Sequence, residues 1–127
     1  MAHLPPSSPA PAHRRELVRR YKDEGTPMGV YVVRNLANGR VLVGTSMNLE
    51  AIFNRHRFQL RMGGHRCTGL QRDWHAQGGE NFAFEVAHRL QKKDDPAFDP
   101  EAELAVLLEL WRAELDPEGR GYAQHRE

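Results

Sequence analysis

An α/β (α+β) domain, a small three-stranded sheet flanked by helices, is predicted by three features of the 127-residue sequence. Residues 29–44 form two apolar arms rich in β-branched side chains around Asn38-Gly39, the strongest short-range signal for a β-hairpin. Residues 81–87 alternate apolar and polar, with Phe82, Phe84 and Val86 on one face, as a half-buried strand does. Residues 49–60 and 100–115 instead repeat their apolar residues at helical spacing.

Taken in order, residues 1–13 hold four prolines among Ser, Ala and His and lack apolar periodicity, so they read as a disordered tail. Residues 14–24 read as a short basic helix with Leu17, Val18 and Tyr21 on one side, stopped by Gly25. The hairpin follows, its Asn38-Gly39 turn expected to use the positive φ that both residues tolerate. Next, Thr45-Ser46-Met47-Asn48 offers N-cap candidates for a helix carrying Leu49, Ile52, Phe53, His56 and Leu60, ended by Met62-Gly63-Gly64-His65. A second helix is expected over 68–77, closed by Gly78-Gly79, before the third strand at 81–87. Asp99-Pro100 then supplies an N-cap and a proline suited to the first turn of helix 100–115. Leu104, Leu107, Leu108, Trp111 and Leu115 form its apolar stripe, and Val106 and Leu110 are left beside it. That excess points to a second partner for this helix, such as a homodimer formed through residues 100–115. Gly119 onward reads as a polar tail, so a single domain is expected over 14–122, with a core at 28–90, an acidic C-terminal helix at 100–115 and a tail at 123–127.

The net charge of +1 hides a segregation along the chain. Residues 29–93 carry ten Lys/Arg against four Asp/Glu, and residues 94–127 carry three against ten. A basic module of this kind suits a polyanion, or it complements the acidic half across their packing interface. No run approaches the length of a membrane span and the N-terminus lacks an apolar signal core, so a soluble cytoplasmic protein without a membrane partner is expected. The single Cys67 forms no internal disulfide and reads as a small buried thiol. His56, His65, His75 and His88 show neither C-x-x-C nor paired H-x-x-x-H spacing, so no metal site is predicted from spacing.

The chain resembles the GIY-YIG nuclease superfamily. Gly29-Val30-Tyr31 matches its first motif, Leu42-Val43-Gly44 stands where the second belongs, and Ser46-x-Asn48-Leu49 leads into a helix with His56 at the family's histidine position. His65, Leu70-Gln71-x-Asp73-Trp74, Gly78, Phe82-x-Phe84-Glu85 and the segment Trp111 to Gly121-Tyr122 look like its continuation. The resemblance implies a three-stranded antiparallel sheet and phosphodiester cleavage with one divalent metal held by a glutamate, an arginine on the phosphate and the motif tyrosines near the nucleophile. Those groups answer the chemistry, because the transition-state phosphate gains charge and the attacking water must lose a proton.

At the positions that carry those roles this sequence departs from the pattern. Ile52 stands at the arginine position, Leu108 at the glutamate position and Leu42 at the second tyrosine. Tyr31 and His56 remain, and Arg55, one turn from Ile52, is the best substitute cation, so Tyr31, His56 and Arg55 are the candidate catalytic residues. Glu85 or Glu109 are the carboxylates considered for the missing one, though Glu109 turns away from the apolar stripe. Magnesium or manganese is expected only with surviving cleavage. The expected function is a nuclease-type domain with a degenerate centre that binds DNA or RNA. Arg34, Arg40, Arg57, Arg61 and Arg66, together with Arg55, are the expected phosphate contacts. A slow metal-dependent endonuclease and a protein-interaction module are the alternatives.

Overall fold

The computed structural model describes residues 26–122. The expected tail at 1–13, helix at 14–24 and tail at 123–127 lie outside the described residues. Strands β1 (Met28–Asn35), β2 (Val41–Ser46) and β3 (Phe82–Leu90) form one antiparallel sheet in the order β2-β1-β3. Helices α1 (Leu49–Met62) and α2 (Thr68–Gln77) follow β2, and α3 (Pro100–Leu115) follows β3.

The central strand is covered on both faces, which is why Val30, Tyr31, Val32 and Val33 run without a polar interruption. Tyr31, Val33 and Leu42 face the α1–α2 layer with Leu49, Ile52, Leu60 and Leu70. Val30, Val32, Val41 and Val43 face α3, whose Leu107, Leu108, Trp111 and Leu115 lie against them. The α3 stripe therefore packs as its spacing predicts, while Val106 and Leu110 stay exposed.

The hairpin exists but its turn is wider than the two-residue turn expected. Asn35 and Arg40 close the loop, with the Asn35 N–H donating to the Arg40 carbonyl at 2.8 Å. Within the loop only Gly39 has a left-handed φ, of 79°, so Asn38 does not take the positive φ expected of it. The Asn35 side chain accounts for this difference: its Oδ1 accepts from the Ala37 N–H at 2.9 Å, which sets a local turn before Asn38 is reached. Strand β3 is also longer than its alternation predicts. A bulge lets Val30 face His88 while Tyr31 faces Val86, so the extra residue turns His88 toward α3, where its ring meets Trp111 edge-on.

Caps follow the predicted chemistry. Asn48 Oδ1 accepts from the Ala51 N–H at 3.0 Å, Gly63 ends α1 at φ 81°, and Asp99 Oδ1 accepts from Ala102 with Pro100 opening α3. The segment after α3 departs from the polar-tail reading. Tyr122 is 5% exposed, its N–H donates to the Val41 carbonyl, and its hydroxyl donates to Asp73 Oδ2 at 2.6 Å while accepting from Asn35 Nδ2 at 2.9 Å. Arg40 closes this cluster by stacking its guanidinium 4.2 Å from the Tyr122 ring centre and pairing with Asp73 at 3.6 Å.

Replacing Tyr122 by Phe keeps the ring and leaves the fully buried Asn35 amide without its acceptor. Such an orphan costs about 1–3 kcal/mol. Urea unfolding of Tyr122→Phe is expected to give an unfolding free energy lowered by that amount, seen as a lower midpoint at an unchanged slope, and an unchanged midpoint would refute the clamp.

Candidate functional site

Strand β1 carries Tyr31 to the inner surface of α1, where its hydroxyl meets His56 Nε2 at 2.8 Å. The Tyr31 ring lies directly over Gly44 of β2: a Cβ there would come within 2.6 Å of the hydroxyl and Cζ. Glycine at the second motif is thus a requirement of close approach. His56 Nδ1 then bonds His65 Nε2 at 2.7 Å, the two imidazoles stacked at 25°. His65 comes from the loop between α1 and α2, held by Gln71, whose Oε1 accepts from the His65 N–H and whose amide donates to the Leu60 carbonyl.

The far end of this chain sets its direction. The Cys67 N–H donates to His65 Nδ1 at 3.0 Å, so that nitrogen carries a lone pair and the ring proton of His65 sits on Nε2. Nε2–H donates to His56 Nδ1, His56 therefore carries its own proton on Nε2, and that proton points at the Tyr31 oxygen. Tyr31 receives a hydrogen bond from the histidine and directs its own O–H elsewhere. In this arrangement His56 has no lone pair with which to take the tyrosine proton.

Tyr31 and His56 are each 3% exposed. Burial pulls the His56 pKa down from 6.5 to about 4, with His65 and the Arg55 guanidinium opposing a further positive charge. The ring is neutral at pH 7.

Where the end of β2, α1 and the start of α3 meet lies an open cleft of about 490 Å³ lined by Thr45, Ser46, Asn48, Ile52, Arg55, Glu101 and Leu104, among others. Arg55 does share its lining with Ile52, as one turn of helix predicts. The carboxylate on this cleft is Glu101, at the start of α3, and the considered carboxylates lie elsewhere. Glu85 pairs with Arg34 at 3.3 Å and Glu109 with Arg112 at 3.5 Å. Leu108, at the implied glutamate position, packs on the opposite face of the sheet among the valines of β1 and β2.

The expected phosphate-contacting arginines separate into groups. Arg34 alternates with Val33 and so leaves the Tyr31 face, and Arg40 is engaged with Tyr122 and Asp73. Arg57 rests over the Phe84 ring at 4.4 Å. Arg55, Arg57, Arg61 and Arg66 are all exposed on the α1 layer. Reading for residue spacing misses the link of His65 and Gln71 to His56 and the place of Glu101 on the cleft: His65 is nine positions from His56 across a loop, and Glu101 reads as an ordinary acidic residue in a helix's first turn.

The ligand position that the resemblance implies, Leu108, is hydrocarbon, and the cleft carries one carboxylate, Glu101, beside Arg55. Among the described residues no group of three His, Cys, Asp or Glu side chains converges on a point that could hold a metal. No helix of the described chain is long and apolar enough to cross a membrane.

The sheet order and the helix placement match the fold of a GIY-YIG catalytic domain. A solved structure sharing it is the catalytic domain of the homing endonuclease I-TevI, matched over 78% of this chain and 99% of that one, with a TM-score of 0.62 and 23% identity. A glutamate-to-alanine mutant of the intron endonuclease's catalytic domain matches over 77% and 93%, at 0.63 and 23%. At this identity the likeness establishes the fold. No family model matches the chain, and no curated protein matches it.

The depressed pKa of His56 fixes a pH dependence. Because the folded value lies below the unfolded one, stability is full above about pH 7 and falls as pH drops from 6.5 toward 4, where the unfolded chain takes up a proton that the folded chain refuses. The loss reaches about 3 kcal/mol. A pH series of urea midpoints is expected to show this decline in the wild type and a flatter one in His56→Asn, and parallel profiles would refute the assignment.

Proposed function

We propose that this domain binds nucleic acid through the exposed arginines of the α1 layer and does not hydrolyse it. One observation carries the reading. The groups kept from the nuclease pattern, Tyr31 and His56, are buried and bonded to each other, whereas Arg55, Arg57, Arg61 and Arg66 stand in solvent. Hydrolysis needs positive charge against the reacting phosphate and a group to take the proton of the attacking water. Here hydrocarbon from Ile52 and Leu108 occupies the implied arginine and metal-ligand positions, and the relay holds His56 as a donor toward Tyr31.

Charge favours the same surface for a polyanion. Helix α1 carries three arginines against one glutamate, and α3, on the other face of the sheet, carries four glutamates against one arginine. A phosphate backbone approaching the α1 layer meets the positive side. The likeness to an endonuclease domain makes DNA or RNA the polyanion to test. Contacts of this kind engage phosphates and carry no base sequence information.

Filter-binding titrations of DNA and RNA at several salt concentrations test the reading. Binding is expected at low salt, with log affinity falling against log salt at a slope of about −3 for three to four phosphates. It is expected to vanish when Arg55, Arg57 and Arg61 are changed together to Glu. No affinity for either nucleic acid at low salt would overturn binding, and nicking with magnesium or manganese that Arg55→Ala abolishes would overturn the inactivity.

A second reading, self-association through helix 100–115, rests on Val106 and Leu110, which are 60% and 62% exposed. It predicts a sedimentation coefficient that rises with protein concentration, and a concentration-independent monomer would eliminate it.

A further inference from the structure

Helix α1 buries Leu49, Ile52, His56 and Leu60, and its most outward residue is a phenylalanine. At about 100° per residue, Phe58 lies opposite that buried stripe, and Arg55 and Arg61 lie about 60° to either side of it, one turn before and one turn after. Phe58 is 57% exposed, and it is the only aromatic among the large apolar side chains exposed in the described residues. Met62, 70% exposed, extends its ridge by one turn. Its neighbours one turn away are Asn54, Arg55, Arg61 and Met62, so no carboxylate borders the ring along the helix.

A solvent-facing ring costs the protein apolar surface left in water, and alanine would serve α1 better by helix propensity. The ring's position is flanked along the helix by arginines on both sides, and one of them, Arg55, also lines the cleft beside Ile52 and Glu101. A flat apolar face between two cations matches a ligand that alternates flat aromatic groups with anions, which is a single strand of nucleic acid. Duplex DNA or RNA keeps the flat faces of its bases stacked inside and presents phosphates and base edges instead.

Resting on the nucleic-acid reading above, we propose that Phe58 is a stacking platform for an unpaired base, with Arg55 and Arg61 holding the adjacent phosphates, so that this domain prefers single strands to duplex. The strand runs along the outer face of α1 and reaches the cleft at Arg55. Arg57, drawn over the Phe84 ring, lies outside this path.

The alternative occupant is a second copy of this chain, whose α3 offers Val106 and Leu110 bordered by Glu103, Glu109 and Glu114. Flanking cations suit that ridge as well. Stacking is favoured because the path leads from the ring into the cleft, whereas a helix laid on α1 makes no use of the cleft.

The test uses the full chain and fluorescence anisotropy with a labelled oligothymidylate of about 12 nucleotides and a blunt duplex of the same length. The wild type is expected to bind the single strand more tightly. Phe58→Ala is expected to weaken single-strand binding by about 5- to 150-fold and duplex binding by less than about twofold. Phe58→Trp is expected to restore it, with tryptophan fluorescence quenched as the strand binds. Equal losses on both ligands, or no loss in Phe58→Ala while the wild type still binds, would overturn the platform and leave the nucleic-acid reading standing. Absence of wild-type binding to either ligand would overturn both. A sedimenting dimer that Phe58→Ala dissolves, with oligonucleotide affinity unchanged, would assign the ridge to the second copy and overturn the platform.

Discussion

Strand β1 is paired on both edges and covered on both faces, and this constraint governs the polar architecture of the protein. A polar side chain buried on such a strand has no access to water and must find protein partners. Two do. Tyr31 is satisfied by His56, and through it by His65 and the Cys67 N–H. Asn35, at the other end, is satisfied by its own turn and by Tyr122, which is tied in turn to Asp73 and Arg40. Both networks fasten a loop to the sheet. The first fixes the segment between α1 and α2, the second the chain after α3.

These networks explain why the elements were legible in the sequence and their connections were not. Helices at 68–77 and 100–115 follow from periodicity and punctuation alone, because Gly78 and the Asp99-Pro100 pair act locally. The hairpin loop was misjudged where a side chain intervened: Asn35 competes for the backbone before the Asn38-Gly39 pair can dictate the turn. Tyr122 sits among glycines and charges, and only its long-range partners make it part of the core. His65 belongs to the same class, since its link to His56 crosses a glycine pair with no periodicity to mark it. The bulge that redirects His88 likewise leaves no trace in an alternating pattern.

For the site, the sequence marked the departures more clearly than the geometry. Ile52 and Leu108 are apolar in any arrangement, but they pack on opposite faces of the sheet, in separate apolar layers. The segregation of charge along the chain becomes a separation in space, with arginines on the α1 layer and glutamates on α3 across the sheet. The sheet then acts as a spacer between opposite potentials.

The Asn35–Tyr122 contact joins residues 87 positions apart. During synthesis the central strand leaves the ribosome long before the group that satisfies its buried amide, so the sheet cannot reach its final polar pairing until the chain has been made through Tyr122. Until then the Asn35 amide lacks the acceptor that the closed structure gives it.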